Sequence, residues 1–497
     1  MSVRRSSCGR KLQRDEIFLI FAGIIENKMN LPASFTDSTR ALLGDEEYEK
    51  LYAALQQEPP VSIRVNRMKG LKADVPGEPV PWAADGFYLD RRLTFTFDPL
   101  FHAGCYYVQE ASSMFVEQVL KQYVDKPVVM LDLCAAPGGK STHARSLLPE
   151  GSLLVANEVM RNRSQVLAEN ITKWGHPDVA VTNNDPADFS RLEAFFDVIL
   201  TDVPCSGEGM FRKDAGAIDE WSPGNVEICW QRQRRIIADI WPCLKPGGLL
   251  IYSTCTFNMK EDEENVAWIR DAFGAEVLEV EVDSAWPVTG NLLPQADFPV
   301  YRFLPHHTKG EGFFLAAIRK PHGEEQEAYM PVPKKKSKKG DKPALSVSKE
   351  QLNAIAGWLM QPEDYILSVE GTAVTAFAKC LADKREALAP YLRIVQAGVQ
   401  VAEVKGKDLV PSHALAMSSI LKPAVFPREE LDYGQAIAYL RKEAIVLPPA
   451  APRGYVLVTY RGVPLGLVKN IGNRANNLYP QEWRIRSGYL PAEVRLL

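Results

Sequence analysis

The chain has 497 residues, of which 46% are hydrophobic and 24% charged, with a net charge of −4 and eight cysteines. This length excludes a single core and implies several domains, and the near-neutral charge excludes a polycation, so any nucleic-acid surface must be a local patch. No run reaches the roughly 20 apolar residues of a membrane span, and the cysteines show no close pairs at metal-ligand spacing, so no metal is expected and the thiols read as reduced, in a cytoplasmic protein.

Residues 1–28 place Arg4, Arg5, Arg10, Lys11 and Arg14 before a short apolar run at 17–21. Asp15 and Glu16 open that run and no small-residue cleavage site comes after it, which argues against a secretion signal. These residues are expected to be an appendage to a chain that begins at Met29. A helix-period stripe of Phe35, Leu42, Leu43, Tyr48, Leu51 and Leu55 predicts helix over 31–55. Residues 61–66 alternate apolar and polar, a strand that puts Arg64 on a polar face. Either a solvated face or contact with an RNA backbone would account for Arg64. Residues 72–100 read as short strands and turns. Residues 101–113 lead into a helix through about Val119, expected to dock an N-terminal α+β domain (29–125) on the sheet of a central domain.

From 126 to 320 strands and helices alternate, with strands expected at 128–132, 152–157, 178–182, 196–201, 248–253 and 313–319. That alternation predicts a doubly wound, mostly parallel α/β sheet, Rossmann-like, with its ligand at the carboxyl ends of the strands. Asp132, Glu158, Asp185, Asp202 and Cys255 all fall there. The first strand ends in the small-residue loop Cys134, Ala135, Ala136, Pro137, Gly138, Gly139, Lys140, before a helix start. The Walker phosphate pattern is incomplete, because Cys134 stands where its first glycine belongs. Glu158 comes after the loop at the distance typical of a carboxylate that binds ribose hydroxyls, and Asp185, after the third strand, is suited to the adenine end. A ligand with adenine and ribose but no phosphates fits, which points to S-adenosylmethionine rather than ATP.

Two cysteines sit after the next strands, in Asp202-Val203-Pro204-Cys205-Ser206-Gly207 and in Ser253-Thr254-Cys255-Thr256. A lone cysteine there reads as a small buried hydrophobe. Two on adjacent strand ends beside a cofactor loop suggest thiol chemistry. Residues 321–348 form a linker with the basic tract 334–339, and 349–425 is a middle α/β region. The last 47 residues hold Arg453, Arg461, Lys469, Arg474, Arg484, Arg486 and Arg495 against Glu482 and Glu493, with Tyr455, Tyr460, Tyr479 and Trp483 interleaved. That composition fits a small basic RNA-binding module.

At the loop and the two cysteine motifs the sequence resembles the Nop/Sun family of RNA cytosine-5 methyltransferases, over roughly residues 60–320. The chemistry of that family has a physical need. Carbon 5 of cytosine is a poor nucleophile until a thiolate adds at carbon 6 and breaks the aromaticity. A site of this kind should therefore favour the thiolate, and Asp202 is placed to meet the charge developing at ring N3. Spacing alone leaves the nucleophile open, since DNA cytosine methyltransferases use the Pro-Cys cysteine. The resemblance implies Cys255 as nucleophile, Cys205 as the cysteine that assists release, Asp202 and Lys140 on the target ring, and Glu158, Asp185 and the 134–140 loop on the cofactor. The motifs Pro411-Ser412-His413-Ala414-Leu415-Ala416, Tyr439-Leu440-Arg441 and Leu465-Gly466-Leu467-Val468-Lys469 resemble the tail of bacterial small-subunit rRNA methyltransferases with a PUA-like domain (426–497). Lys442 stands at a glycine position of that tail. A monomer acting on rRNA, without DNA or membrane, is the expectation; tRNA is the alternative substrate. A non-catalytic assembly factor of the same fold would be expected to lose Cys255 or Asp202, and both are present.

Overall fold

The structure, a computed structural model, describes residues 29–71, 75–323, 347–489, 491 and 493–497. The expectations for residues 1–28 and for most of the basic linker lie outside the described residues. A nine-stranded sheet forms the centre. Its order is Glu276–Leu278, Phe313–Arg319, Leu244–Thr254, Phe196–Asp202, Val129–Asp132, Leu153–Asn157, Val179–Thr182 and Ile394–Ala397, with Tyr301–Phe303 also paired to Phe313–Arg319. The five strands from Leu244–Thr254 to Val179–Thr182 are parallel, and the flanking strands are antiparallel. The parallel strands are continuous apolar runs because helices cover both faces. Strand order reverses at Val129–Asp132, which puts the ligand crevice at the end of that strand.

The edge strand Ile394–Ala397 comes from the middle region and pairs with Val179–Thr182. Phe377, Leu381, Leu388 and Leu392 of that region share an apolar cluster with Leu153, Phe189 and Phe196. The middle region also carries its own antiparallel sheet, Tyr365–Glu370, Ala373–Ala378, Val399–Lys405 and Asp408–Pro411. The chain end forms a third sheet of Arg428–Glu430, Gly454–Tyr460, Val463–Asn470 and Ala475–Asn477. An N-terminal sheet of Glu78–Pro79, Gly86–Leu89, Val61–Val65 and Tyr106–Val108 shares its core: Ile63, Leu89, Leu100 and Tyr106 pack with Ile437, Tyr439, Val456 and Tyr479. Asp98 joins the two, taking the Tyr106 hydroxyl at 2.8 Å and the Leu497 N–H at 3.0 Å. Among the described residues no helix is long and apolar enough to cross a membrane.

Four local expectations are corrected. The helix expected over 31–55 is two helices, Ala33–Leu43 and Asp45–Leu55, broken at Gly44, whose φ of 83° no helix tolerates. Their apolar stripe, Phe35, Leu51 and Leu55, packs on Phe211, Trp221, Phe257 and Leu304 of the central domain. The docking helix lies later than expected, ending at Tyr123 rather than about Val119. A strand, Tyr106–Val108, and a turn, Ser112–Phe115, precede the helix Val116–Tyr123. Among the C-terminal aromatics, Tyr460 and Tyr479 are buried in the core rather than presented to RNA, because the small sheet must bury one face to be stable. At position 442 the turn persists, with Lys442 itself left-handed at φ 67° and its ammonium donating to the Tyr479 carbonyl.

The fourth correction concerns Arg64, which is neither solvated nor free for RNA. Both faces of the strand Val61–Val65 are covered, and Arg64 is 1% exposed. Its guanidinium donates to Gln109 Oε1 (2.9 Å), Thr142 Oγ1 (2.6 Å) and the Gly139 carbonyl (3.2 Å), and lies over the Trp174 ring. Thr142 in turn donates to the Gly138 carbonyl at 2.8 Å. Arg64 thus ties the N-terminal sheet to the loop and helix after the first central strand. Arg64→Met should lower unfolding stability in urea by about 3 kcal/mol, because charge-assisted hydrogen bonds are lost and their acceptors stay buried; an unchanged transition would mean that the network contributes nothing.

Candidate active site

The loop Cys134–Lys140 leaves the buried strand Val129–Asp132 and enters the helix Gly139–Leu147. Gly138 starts the helix at φ 117°, where a Cβ would meet Leu167 Cδ1 at 3.2 Å. Neighbouring elements hold the loop's backbone on every side. The Leu133 N–H donates to the Leu200 carbonyl (3.0 Å) and the Ala135 N–H to the Asn157 carbonyl (2.8 Å). Arg163 Nη2 and Asn170 Nδ2, both on the helix Arg161–Trp174, donate to the carbonyls of Ala136 and Pro137 at 2.8 Å each. A cavity of about 160 Å³ opens over the loop, lined by Cys134, Ala135, Ala136, Pro137, Gly139, Lys140 and Asp202, and by Tyr107–Glu110 and Ser113 of the N-terminal domain.

The electrostatics around this loop suit a cationic, phosphate-free ligand. Burial and the surrounding carboxylates Asp132, Asp202 and Glu158 push the Cys134 thiol well up. Asp132 is buried, takes Ser141 Oγ at 2.6 Å on Oδ2, and leaves Oδ1 without a partner; burial raises its pKa to about 7. Glu158, buried at the end of the second parallel strand, accepts the Met160 N–H at 2.9 Å and pairs with Arg163 at 3.4 Å. Asp185 is exposed and caps the turn Pro186–Arg191 through Oδ1. Glu158, Asp185, Gly138 and both motif cysteines lie outside the lining of the 160 Å³ cavity. Asp202 and Glu158 are paired with Lys140 and Arg163, and the buried Asp132 Oδ1 is left as an acceptor that would suit the ammonium or sulfonium of S-adenosylmethionine.

The four residues expected to do chemistry come together. Phe196–Asp202 and Leu244–Thr254 run parallel, with Asp202 opposite Ser253, and Ser253 Oγ donates to Asp202 Oδ1 at 2.9 Å. Lys140 Nζ donates to Asp202 Oδ2 at 2.8 Å. The sulfurs of Cys205 and Cys255 are 3.0 Å apart. The Cys255 sulfur alongside, together with burial, drives the Cys205 thiol well above its ordinary range, so Cys205 keeps its proton. Burial works against the Lys140 ammonium, but Asp202 outweighs it, with Cys255 and Asp132 adding, so the lysine stays charged beside Cys255.

Two buried carboxylates that sequence reasoning missed hold the cysteine loops. Glu208 accepts the Phe257 N–H (2.6 Å), Thr256 Oγ1 (2.8 Å), Trp221 Nε1 (3.0 Å) and Asn258 Nδ2 (3.0 Å). Glu261 accepts the Ser206 N–H (3.0 Å), Gln233 Nε2 (2.7 Å) and Asn258 Nδ2 (3.0 Å). The Gly209 N–H donates to the Cys255 carbonyl at 2.8 Å, and a Cβ at Gly209 would strike that carbonyl. Glu261 opens an acidic run, Glu261-Asp262-Glu263-Glu264, of which the first three are buried. Nothing in an acidic run marks it as interior; only Arg302, buried against Asp262 (2.8 Å) and Glu263 (2.5 Å), explains it. A larger cavity of about 1260 Å³, between the middle sheet and the C-terminal domain, holds neither cysteine nor the loop.

Three family models match the chain. They are 16S rRNA methyltransferase RsmB/F over residues 119–319, the N-terminal domain of 16S rRNA methyltransferase RsmF over 31–111, and the methyltransferase RsmF PUA domain over 426–485. The ribosomal RNA small subunit methyltransferase F of Serratia proteamaculans (strain 568) is 32% identical over 481 residues, covering 93% of this chain and 98% of that one. The protein of the same name from Klebsiella pneumoniae (strain 342) is 31% identical, covering 94% and 98%. Among solved structures, a methyltransferase homologue from Pyrococcus horikoshii is 28% identical with a TM-score of 0.51, covering 62% of this chain and all of that one.

Burial, with Glu208 nearby, raises the Glu261 pKa from 4.5 to about 7. The folded chain therefore holds a proton that the unfolded chain has released, and stability falls as pH rises through that window. Glu261→Gln should remove this slope, which is worth on the order of 3 kcal/mol between about pH 4.5 and 7. Denaturant midpoints measured across that range check it, and parallel pH profiles for the two proteins would refute it.

Proposed function

The chain belongs to the RsmF family of 16S rRNA methyltransferases, and on that premise we propose that it methylates carbon 5 of a cytosine in small-subunit rRNA through a covalent Cys255 adduct. The observation that carries this reading is the meeting of Cys205, Cys255 and the Lys140–Asp202 pair at the ends of three adjacent parallel strands. S-adenosylmethionine, held by the 134–140 loop with Glu158 and Asp185, supplies an electrophilic methyl on a sulfonium sulfur. Every other part of the reaction falls to the chain's own residues.

Cys255 Sγ adds to carbon 6, and the ring's electrons move toward carbon 5 and N3. Asp202 and Lys140 hold the N3 edge and meet the charge that develops there. After transfer the carbon 5 proton passes to Cys205 as the Cys205 thiol passes its own proton to the Cys255 sulfur 3.0 Å away; the C–H electrons re-form the carbon 5–carbon 6 double bond, the carbon 6–sulfur bond breaks, and both thiols are regenerated. The target base must be unpaired or flipped, at a few kcal/mol if paired. Exposed Arg453, Arg474, Arg484 and Arg486 on the C-terminal domain are suited to salt-sensitive contacts with the RNA backbone. The protein is taken to act in the cytoplasm, where its rRNA is assembled.

Cys255→Ala should lose at least about 10³-fold in methyl transfer to 16S rRNA or the small subunit while keeping its S-adenosylmethionine affinity. Cys205→Ala should leave a slow-migrating protein–RNA adduct on denaturing gels. Bisulfite sequencing of rRNA from a deletion strain and a rescued one should locate the 5-methylcytosine. Turnover in the Cys255 variant, or a modified base that is not 5-methylcytosine, would overturn the assignment.

A further inference from the structure

Away from the active site, three metal-ligating side chains converge at the junction of the N-terminal helices and the central domain. Glu47 lies on the helix Asp45–Leu55, and His306 and His307 lie in the turn after Tyr301–Phe303. The Nε2 atoms of the two histidines stand 3.0 and 2.8 Å from one oxygen, Glu47 Oε2, and all three ligand atoms lie within 4.8 Å of one another. A tetrahedral ion with bonds of about 2.0–2.1 Å spaces its ligands roughly 3.3 Å apart. The two histidine–carboxylate distances lie within about half an ångström of that spacing.

The supporting contacts orient the donors. Lys50 Nζ takes the other carboxylate oxygen, Oε1, at 2.7 Å, which leaves Oε2 as a single ligand atom. Glu46 holds the same ammonium at 2.8 Å, so these three charged groups carry two negative charges against one positive. Thr289 Oγ1 is 3.0 Å from His307 Nδ1, the outer-shell hydrogen bond that fixes a ligating imidazole. The His306 side chain is 2% exposed. The His307 side chain is 36% exposed and leaves one side open to water.

We propose that Glu47, His306 and His307 bind a transition-metal dication of the zinc type, with water as fourth ligand. Two imidazoles and one carboxylate suit such an ion and not magnesium or calcium, which take oxygen ligands. The ion would clamp the N-terminal helix pair to the turn that borders the active site. Leu304, at one end of that turn, packs against Phe35, Leu51 and Leu55. At the other end Glu311 pairs with Arg212 at 2.8 Å, and the Phe313 ring lies 5.1 Å from Lys140 Nζ.

The adjacent thiols of Cys205 and Cys255 can also capture zinc, so the test uses the full chain carrying Cys205→Ser and Cys255→Ser. Stripped of metal and titrated with Zn²⁺ in a calorimeter, this protein should bind one equivalent and unfold at a higher temperature once loaded. Adding His307→Ala should weaken Zn²⁺ binding by more than about 10-fold and abolish the thermal shift. Glu47→Gln, a change at a half-buried position that keeps a hydrogen-bond acceptor, should do the same and stands in if the histidine variant fails to fold. Bound Co²⁺ should show the visible absorption of a tetrahedral site. A parent protein that binds no Zn²⁺, or variants that bind it as the parent does, would reduce the cluster to a hydrogen-bonded ion pair and overturn the proposal.

Discussion

The parallel pairing of Phe196–Asp202 with Leu244–Thr254, in the register that sets Asp202 opposite Ser253, is the constraint on which the site depends. Parallel strands deliver their carboxyl ends to the same edge, so the two loops beyond them must share one small volume. Cys205 and Cys255, 50 residues apart in the chain, meet there at 3.0 Å. Lys140 arrives from the neighbouring strand's loop and closes on Asp202. A shift of one residue in that register would turn every side chain over and part these groups.

Register alone does not hold two loops in contact. Buried Glu208, just beyond Cys205, accepts donors of the Cys255 loop, and buried Glu261, just beyond Cys255, accepts the Ser206 N–H of the Cys205 loop. Buried carboxylates are costly unless their lone pairs are satisfied. Here most of the donors belong to the very loops that must stay together, so satisfying the carboxylates and fixing the loops are one arrangement. Arg302 performs the same office one turn further on for Asp262 and Glu263.

The outer domains are part of this arrangement too. Arg64 reaches from the N-terminal sheet to the helix that starts at Gly139, and Tyr107–Glu110 wall the cavity above the loop. The N-terminal sheet shares its core with the C-terminal domain, so the candidate RNA-binding tail is coupled to the cofactor side of the site through packed side chains. The middle region closes the opposite edge of the central sheet with Ile394–Ala397.

The six central strands, the loop from Cys134 to Lys140 and the two cysteine motifs were legible from residue order, because apolar runs ending in small or acidic residues are local signals. Strand edges carry such information within a few residues. Arg64 misled, since alternation in 61–66 marks a two-faced strand but cannot say that both faces are covered. The acidic run 261–264 gave no sign of its burial, and Tyr460 and Tyr479 counted among the aromatics of a basic RNA-binding module although they fill a core. In each case the deciding neighbour lies far along the chain: Thr142 for Arg64, Arg302 for Asp262, Tyr439 for Tyr479. Residue order therefore determined the order of strands and loops, and with it which groups reach the active edge. Folding in three dimensions decided which charges are buried, which sulfurs touch and which domains share a core, because those depend on distances between segments that no local pattern encodes.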